Sequence, residues 1–143
     1  MQYRSNIEIP LFESFCRKNE IDGKIVSAKV AGIPLELKVA STPESMMKGY
    51  SNQPAPKEGE GMLFVYQEEL PLDFWMKGVD YPIDIMFFDS NRVLVDYLTM
   101  DPCGDLEDRD LPIYRSKEPA MFAVEVTGGW CRDQIEPDCL LEF

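Results

Sequence analysis

Two neighbouring stretches set the period of this chain. Val26, Ala28 and Val30 alternate with Ser27 and Lys29; after Ala31-Gly32, Leu35, Leu37 and Val39 alternate with Glu36 and Lys38. A repeat of two places every apolar side chain on one face of a strand, so the pattern predicts a hairpin with one buried side. Further strands are expected over Gly61–Tyr66, Asp73–Gly78, Ile83–Asp89, Val93–Met100, Ala120–Val126 and Cys139–Glu142. Breakers separate them, and Asp89-Ser90-Asn91-Arg92 reads as a four-residue hairpin turn. Connections this short leave little room for repeated parallel crossovers, which favours antiparallel pairing. The fold class that follows is all-β and mainly antiparallel, a sandwich or barrel with one or two short helices.

Thr42-Pro43-Glu44 carries the marks of a helix start. Threonine caps, proline suits the first helical position, and the glutamate meets the positive end of the helix dipole. Gly49 is the natural stop, after about two turns. Leu11, Phe12, Phe15 and Cys16 fit one face of a short helix over Leu11–Asn19, ended by Gly23, and Trp130–Ile135 is expected to make one helical turn. A length of 143 residues suits one domain, read as residues 23–143 behind an N-terminal extension over 1–22. There is no internal repeat.

Composition removes whole classes of chemistry. The chain has no histidine, so Ser-His-Asp and Cys-His sites cannot be built within it, and the commonest imidazole metal ligand is missing. The four cysteines, at 16, 103, 131 and 139, lack zinc-finger spacing. Both Gly-rich phosphate-binding patterns are absent, and no cofactor is expected. Ser45-Met46-Met47-Lys48 matches Ser-x-x-Lys, but the Ser-Asp-Asn and Lys-Thr-Gly elements that accompany it in penicillin-recognising enzymes do not occur. The run Asp101–Asp110 holds five carboxylates, yet it fails the EF-hand ladder and reads as a solvated loop, so no metal is expected. A net charge of -12 repels phosphates and anionic lipid, so neither nucleic acid nor a membrane is an expected partner. No apolar window reaches the length of a membrane span, and the first ten residues carry no apolar export core. The expected location is cytoplasmic, with reduced thiols.

Buried charge marks the candidate site. On Asp73–Lys77, alternation puts Asp73, Trp75 and Lys77 on one face and Phe74 and Met76 on the other. Asp84 interrupts the apolar run Ile83–Phe88, where a carboxylate is costly unless paired or hydrogen-bonded. Lys77 is the expected partner, across the Tyr81-Pro82 turn. Glu125 lies between Val124 and Val126, with Trp130 shortly after. Trp75, Lys77, Asp84, Glu125 and Trp130 are therefore the candidate ligand-binding residues, in a small polar-ligand pocket. The competing reading is a structural ion pair capped by an indole. No residue is singled out as catalytic.

From Val39 onward the ordered segments agree with one family. Thr42-Pro43-Glu44 with Gly49, Gly61-Met62-Leu63-Phe64-Val65-Tyr66, Phe74-Trp75-Met76-Lys77, Pro82-Ile83-Asp84-Ile85-Met86-Phe87-Phe88-Asp89, Pro119-Ala120 through Glu125, and Gly129-Trp130 resemble the domain of unknown function 192 family. The resemblance implies a jelly-roll-like β-sandwich and no activity. Two departures stand out: Gly49-Tyr50-Ser51 replaces the family's usual Gly-Leu-Met, and Gly78-Val79 replaces an Asn-Thr pair. If those polar groups serve the family's function, it is lost or altered in this member. The expected function is a non-catalytic binding or accessory module for a small polar ligand or a protein partner. The alternative is a carboxylate-dependent, glycosidase-like hydrolase, which needs two carboxylates about 5–10 Å apart in one open cleft.

Overall fold

The computed structural model describes residues 18–143. A single helical turn, α1 (Lys18–Ile21), leads into the strands β1 (Ile25–Val30) and β2 (Ile33–Ala40). These form the expected hairpin in full register, from Ile25 opposite Lys38 to Val30 opposite Ile33. Ala31 and Gly32 both have positive φ, 51° and 78°, the left-handed pair that a two-residue hairpin turn requires. The helix expected over Leu11–Asn19 and the thiol of Cys16 lie outside the described residues, apart from the start of α1.

After β2 comes α2 (Pro43–Lys48), then β3 (Glu60–Leu70), β4 (Asp73–Phe74), β5 (Ile83–Phe88), β6 (Leu94–Met100), a short 3-10 turn (Asp108–Asp110), β7 (Tyr114–Arg115), β8 (Ala120–Thr127) and β9 (Leu141–Glu142). Seven strands make one sheet in the order β6-β5-β8-β3-β2-β1-β9, while β4 and β7 pair separately. A bridge between Val93 and Leu140, with Leu94 N–H donating to the Cys139 carbonyl and Leu141 N–H to that of Arg92, brings the two ends of the sheet together. The all-β expectation holds, but the sheet is mixed. β2 and β3 run parallel, from Glu36 opposite Glu60 to Ala40 opposite Phe64. Residues 41–59, carrying α2, supply the crossover that the short connections had argued against.

The curl separates two apolar clusters. The larger takes Val30, Leu37, Leu63, Met86, Val124 and Leu141 from six strands and so fills the inside. The second lies on the outer face of β3, β5 and β8, where Met62, Phe64, Ile83, Ile85 and Phe87 are covered by residues 72–79. Every residue of β5 is buried, because both of its faces are covered. The strand expected over Asp73–Gly78 is shorter than foreseen: only Asp73 and Phe74 find a partner strand, opposite Arg115 and Tyr114. The foreseen alternation survives beyond it, with Phe74 and Met76 buried and Asp73 and Lys77 exposed. No helix among the described residues is long and apolar enough to cross a membrane.

Candidate functional site

The crossover helix is anchored from outside itself. The Thr42 hydroxyl accepts from Ser45 N–H at 3.1 Å, and the Ser45 hydroxyl accepts from Thr42 N–H at 3.1 Å, a reciprocal capping box. Ser45 Oγ also donates to Asp22 Oδ1 at 2.5 Å, and that oxygen accepts from Ser41 N–H at 2.8 Å. Burial alone would raise the Asp22 pKa; the hydrogen bonds from Ser41, Ser45 and Thr42 outweigh it and hold the carboxyl below the usual range. The serine of the Ser-x-x-Lys match is thus a capping residue.

α2 ends at Gly49, whose φ of 47° suits glycine, and the chain turns down over the outer face of the sheet. A cleft of about 230 Å³ opens between this segment and residues 73–79. Tyr50, Phe64, Tyr66, Phe74 and Trp75 supply aromatic walls, with Met46 and Val79 beside them. Glu125 forms the floor. It sits on β8 opposite Met62 of β3 and Ile85 of β5, and is 4% exposed. A side-chain carbon added at Gly49 would lie 3.8 Å from Glu125 Oε1, so the carboxyl reaches up to the end of α2. Gly61 lets the strands close beneath it: a Cβ there would stand 2.4 Å from the Glu125 carbonyl oxygen.

No described residue gives the Glu125 carboxyl a hydrogen bond or an ion pair. Burial pushes its pKa up from 4.5 to about 8. Burial, then the Glu125 charge, pushes the Tyr66 phenol up to about 12 and raises that of Tyr50 further. Tyr81, also raised, donates its hydroxyl to the Gln53 carbonyl at 2.7 Å.

Asp84 has the opposite circumstances. It is 2% exposed and sits opposite Val126, one residue along from the Ile85–Glu125 pair, so its side chain points to the inner face. The Thr99 hydroxyl donates to Asp84 Oδ1 at 2.7 Å and Cys131 N–H to Oδ2 at 2.8 Å. Trp130, 8% exposed, packs into the same inner cluster. Lys77 is not the partner of Asp84. Its Nζ, on an exposed side chain, lies 2.9 Å from Asp108 Oδ2 and 5.4 Å from the centre of the Trp75 ring. The five candidate residues therefore divide: Trp75 and Glu125 share the cleft, Lys77 flanks it through Trp75, and Asp84 and Trp130 belong to the far side of the sheet. Burial on both faces of β5 hid this division from the sequence.

The pattern also missed what surrounds Glu125. Tyr50 and Val79 both line the cleft, and both are positions where the chain departs from the family motif. The two departures touch: Ser51 Oγ donates to the Lys77 carbonyl at 2.5 Å, and Asn52 N–H to that of Gly78 at 2.8 Å. A Cβ at Gly78 would come within 3.3 Å of Ser51 Cβ.

The acidic loop holds itself through ion pairs, with Arg109 3.5 Å from Glu107 and 3.9 Å from Asp110. Among the described residues no three potential metal ligands cluster. Cys103, Cys131 and Cys139 are free thiols, so Cys131 and Cys139 form no bridge.

Residues 25–143 match the uncharacterised family DUF192, described as "Uncharacterized ACR". Among solved structures, a protein of Sinorhizobium meliloti 1021, described only provisionally as a transcription regulator, is 23% identical, with a TM-score of 0.74 over 86% of this chain and 96% of that one. A protein of unknown function from Novosphingobium aromaticivorans DSM 12444 is 22% identical, with a TM-score of 0.69 over 83% and 85% of the two chains. Identities this low speak for the fold alone. No curated protein is similar enough in sequence to count as a relative.

Proposed function

The chain belongs to the uncharacterised DUF192 family, and we propose, from the geometry of this member, that it is a non-catalytic binding module whose outer-face cleft receives a small ligand on Glu125. One observation carries the reading: a buried carboxyl with no partner among the described residues stands at the floor of an open, aromatic-lined cleft. A carboxyl kept for stability is satisfied by donors, since leaving it bare costs about 1–3 kcal/mol or more. Asp84, on the same sheet and as deeply buried, has two donors and is the internal control. A cleft of about 230 Å³ is smaller than pockets for drug-sized molecules, which run from roughly 300 Å³ upward, so the ligand is small. The jelly-roll-like scaffold that the family resemblance implies commonly carries binding modules.

The hydrolase alternative has less support. Asp84 and Glu125 face opposite sides of the sheet and cannot flank one scissile bond. The other carboxylate at the cleft, Asp73, is held by both Nε and Nη2 of Arg115, at 2.6 and 2.7 Å. The test is a nuclear magnetic resonance screen of small fragments of mixed charge, following the Trp75 indole N–H and the amides of Tyr50, Tyr66 and Glu125. Shifts confined to the cleft are expected. A library that moves none of these signals overturns the reading.

A further inference from the structure

The ligand class can be narrowed, on the premise that the Glu125 cleft is a ligand site. We propose that it takes a small organic amine as its ammonium cation, with the charged group on the Glu125 carboxyl and an apolar body along Phe64, Phe74 and Trp75. Three observations meet here. Glu125 is buried and has no partner among the described residues, and a donor that also carries positive charge both satisfies its oxygens and cancels its charge. The cleft walls are aromatic, and the faces of Tyr50, Phe64, Tyr66, Phe74 and Trp75 attract cations. The protein already uses this on the outside, where Lys77 approaches the Trp75 ring. The overall charge of -12 adds a field that draws cations in and turns anions away.

The position of Tyr50 strengthens the case. Tyr50 places an aromatic ring beside the carboxyl, and Val79 on the facing segment adds an apolar side chain to the wall. Together they give the wall a π face and an apolar patch. It suits an ammonium group carried on an apolar body better than a sugar or another polyhydroxylated molecule.

Proton linkage gives the inference a sign. Among the described residues, the titratable groups around Glu125 are the phenols of Tyr50, Tyr66 and Tyr81, with Lys48 and the Arg115-bound Asp73 also lining the cleft. In the free protein, burial keeps the carboxyl protonated up to about pH 8. An ammonium ion entering at pH 7 keeps its own proton and drives the carboxyl proton into solvent, so binding releases about one proton. Affinity then rises by up to tenfold per pH unit below pH 8 and levels off above it. A neutral ligand accepting a hydrogen bond from the protonated carboxyl would bind with level affinity below pH 8, lose it above, and release no proton.

The probes are 2-phenylethylamine, the uncharged 2-phenylethanol and the anion phenylacetate, titrated calorimetrically between pH 6 and 8.5 in buffers of different ionisation enthalpy. The amine is expected to bind at least tenfold more tightly than the alcohol at pH 8, with proton release and with affinity rising with pH. Glu125→Gln should lose at least tenfold in amine affinity. Tyr50→Leu, which removes the π face, should weaken it severalfold and serves if the Gln variant does not fold. Equal binding of the alcohol, tighter binding of phenylacetate, or amine affinity that stays level or falls as pH rises overturns the amine inference and leaves the ligand cleft standing. So does failure of all three probes where other fragments still move the cleft signals. Silence from every fragment overturns both.

Discussion

Asp84 and Glu125 are diagonal neighbours on adjacent strands, yet their carboxyls lie on opposite faces of the sheet. Asp84 stands opposite Val126, and Glu125 stands opposite Ile85. The inner carboxyl accepts from Thr99 and Cys131; the outer one has no partner among the described residues. Both are deeply buried, 2% and 4% exposed, so the difference in satisfaction is what separates a structural acid from a candidate binding acid.

The inner acid should behave as a structural group. Asp84→Asn keeps the shape but turns an amide N–H₂ toward one of two donors, Cys131 N–H or the Thr99 hydroxyl. The loss should be about 1–3 kcal/mol, which for a domain of this size lowers the melting temperature by roughly 3–10 °C. A thermal melt at pH 7 checks it; a variant as stable as the parent would remove the structural reading.

For the outer acid the sign reverses. Its folded pKa, about 8, lies above the unfolded value near 4.5, so the folded state holds the extra proton between them. Stability contributed by this group is greatest below pH 4.5 and declines as pH rises to 8, at about 1.4 kcal/mol per pH unit at most. Glu125→Gln should therefore match the parent near pH 5 and exceed it in melting temperature by several degrees at pH 8. Melts of both proteins across that range decide it; parallel curves contradict the free buried carboxyl.

How far these acids could be read from the sequence depends on what surrounds them. The hairpin at Ala31-Gly32 and the Thr42 cap are set by neighbours in the chain, and both were legible. So was the alternation of Phe74 and Met76 with Trp75, because one side of that segment meets solvent. In β5 both faces are covered, the alternation carries no polarity, and the side on which Asp84 points is fixed only by which strands flank it. That is why Lys77 was assigned to it. The parallel pairing of β2 with β3 was hidden for a related reason: its crossover holds a helix of only six residues, stabilised by Asp22, which is distant in the chain. Tyr50 and Val79 were visible as departures from a family pattern, but only the fold brings them to one cleft.

Asp22 supports the wall of that cleft. Its Oδ1 gathers Ser41 N–H, Thr42 N–H and the Ser45 hydroxyl at the start of α2. Asp22→Ala should cost about 1–2 kcal/mol at pH 7. The lowered folded pKa means that this contribution is present above the unfolded value and is lost as pH falls through the folded one. Urea unfolding at pH 7 and pH 3 should show the gap between variant and parent narrowing in acid. A constant gap would mean that packing, not the carboxylate, is what the substitution removes.

Gly61 should tolerate no side chain. A methyl group there meets the Glu125 carbonyl at 2.4 Å, with Leu37 at 3.0 Å and Val126 at 3.1 Å, and the nearest of these is backbone. Gly61→Ala should destabilise by about 2–4 kcal/mol through separation of β3 from β8. Chemical denaturation that finds a loss below about 1 kcal/mol would contradict the close approach of these strands.

The most direct test of the account is the titration of Glu125 itself. With ¹³C-labelled glutamate, the side-chain carboxyl resonance of Glu125, assigned by its loss in Glu125→Gln, can be followed from pH 4 to pH 9.5 in the unliganded protein. The account predicts a midpoint near 8. A midpoint near the ordinary glutamate value of about 4.3 would mean that the carboxyl is solvated or already paired, and the cleft would lose the group on which its function is argued.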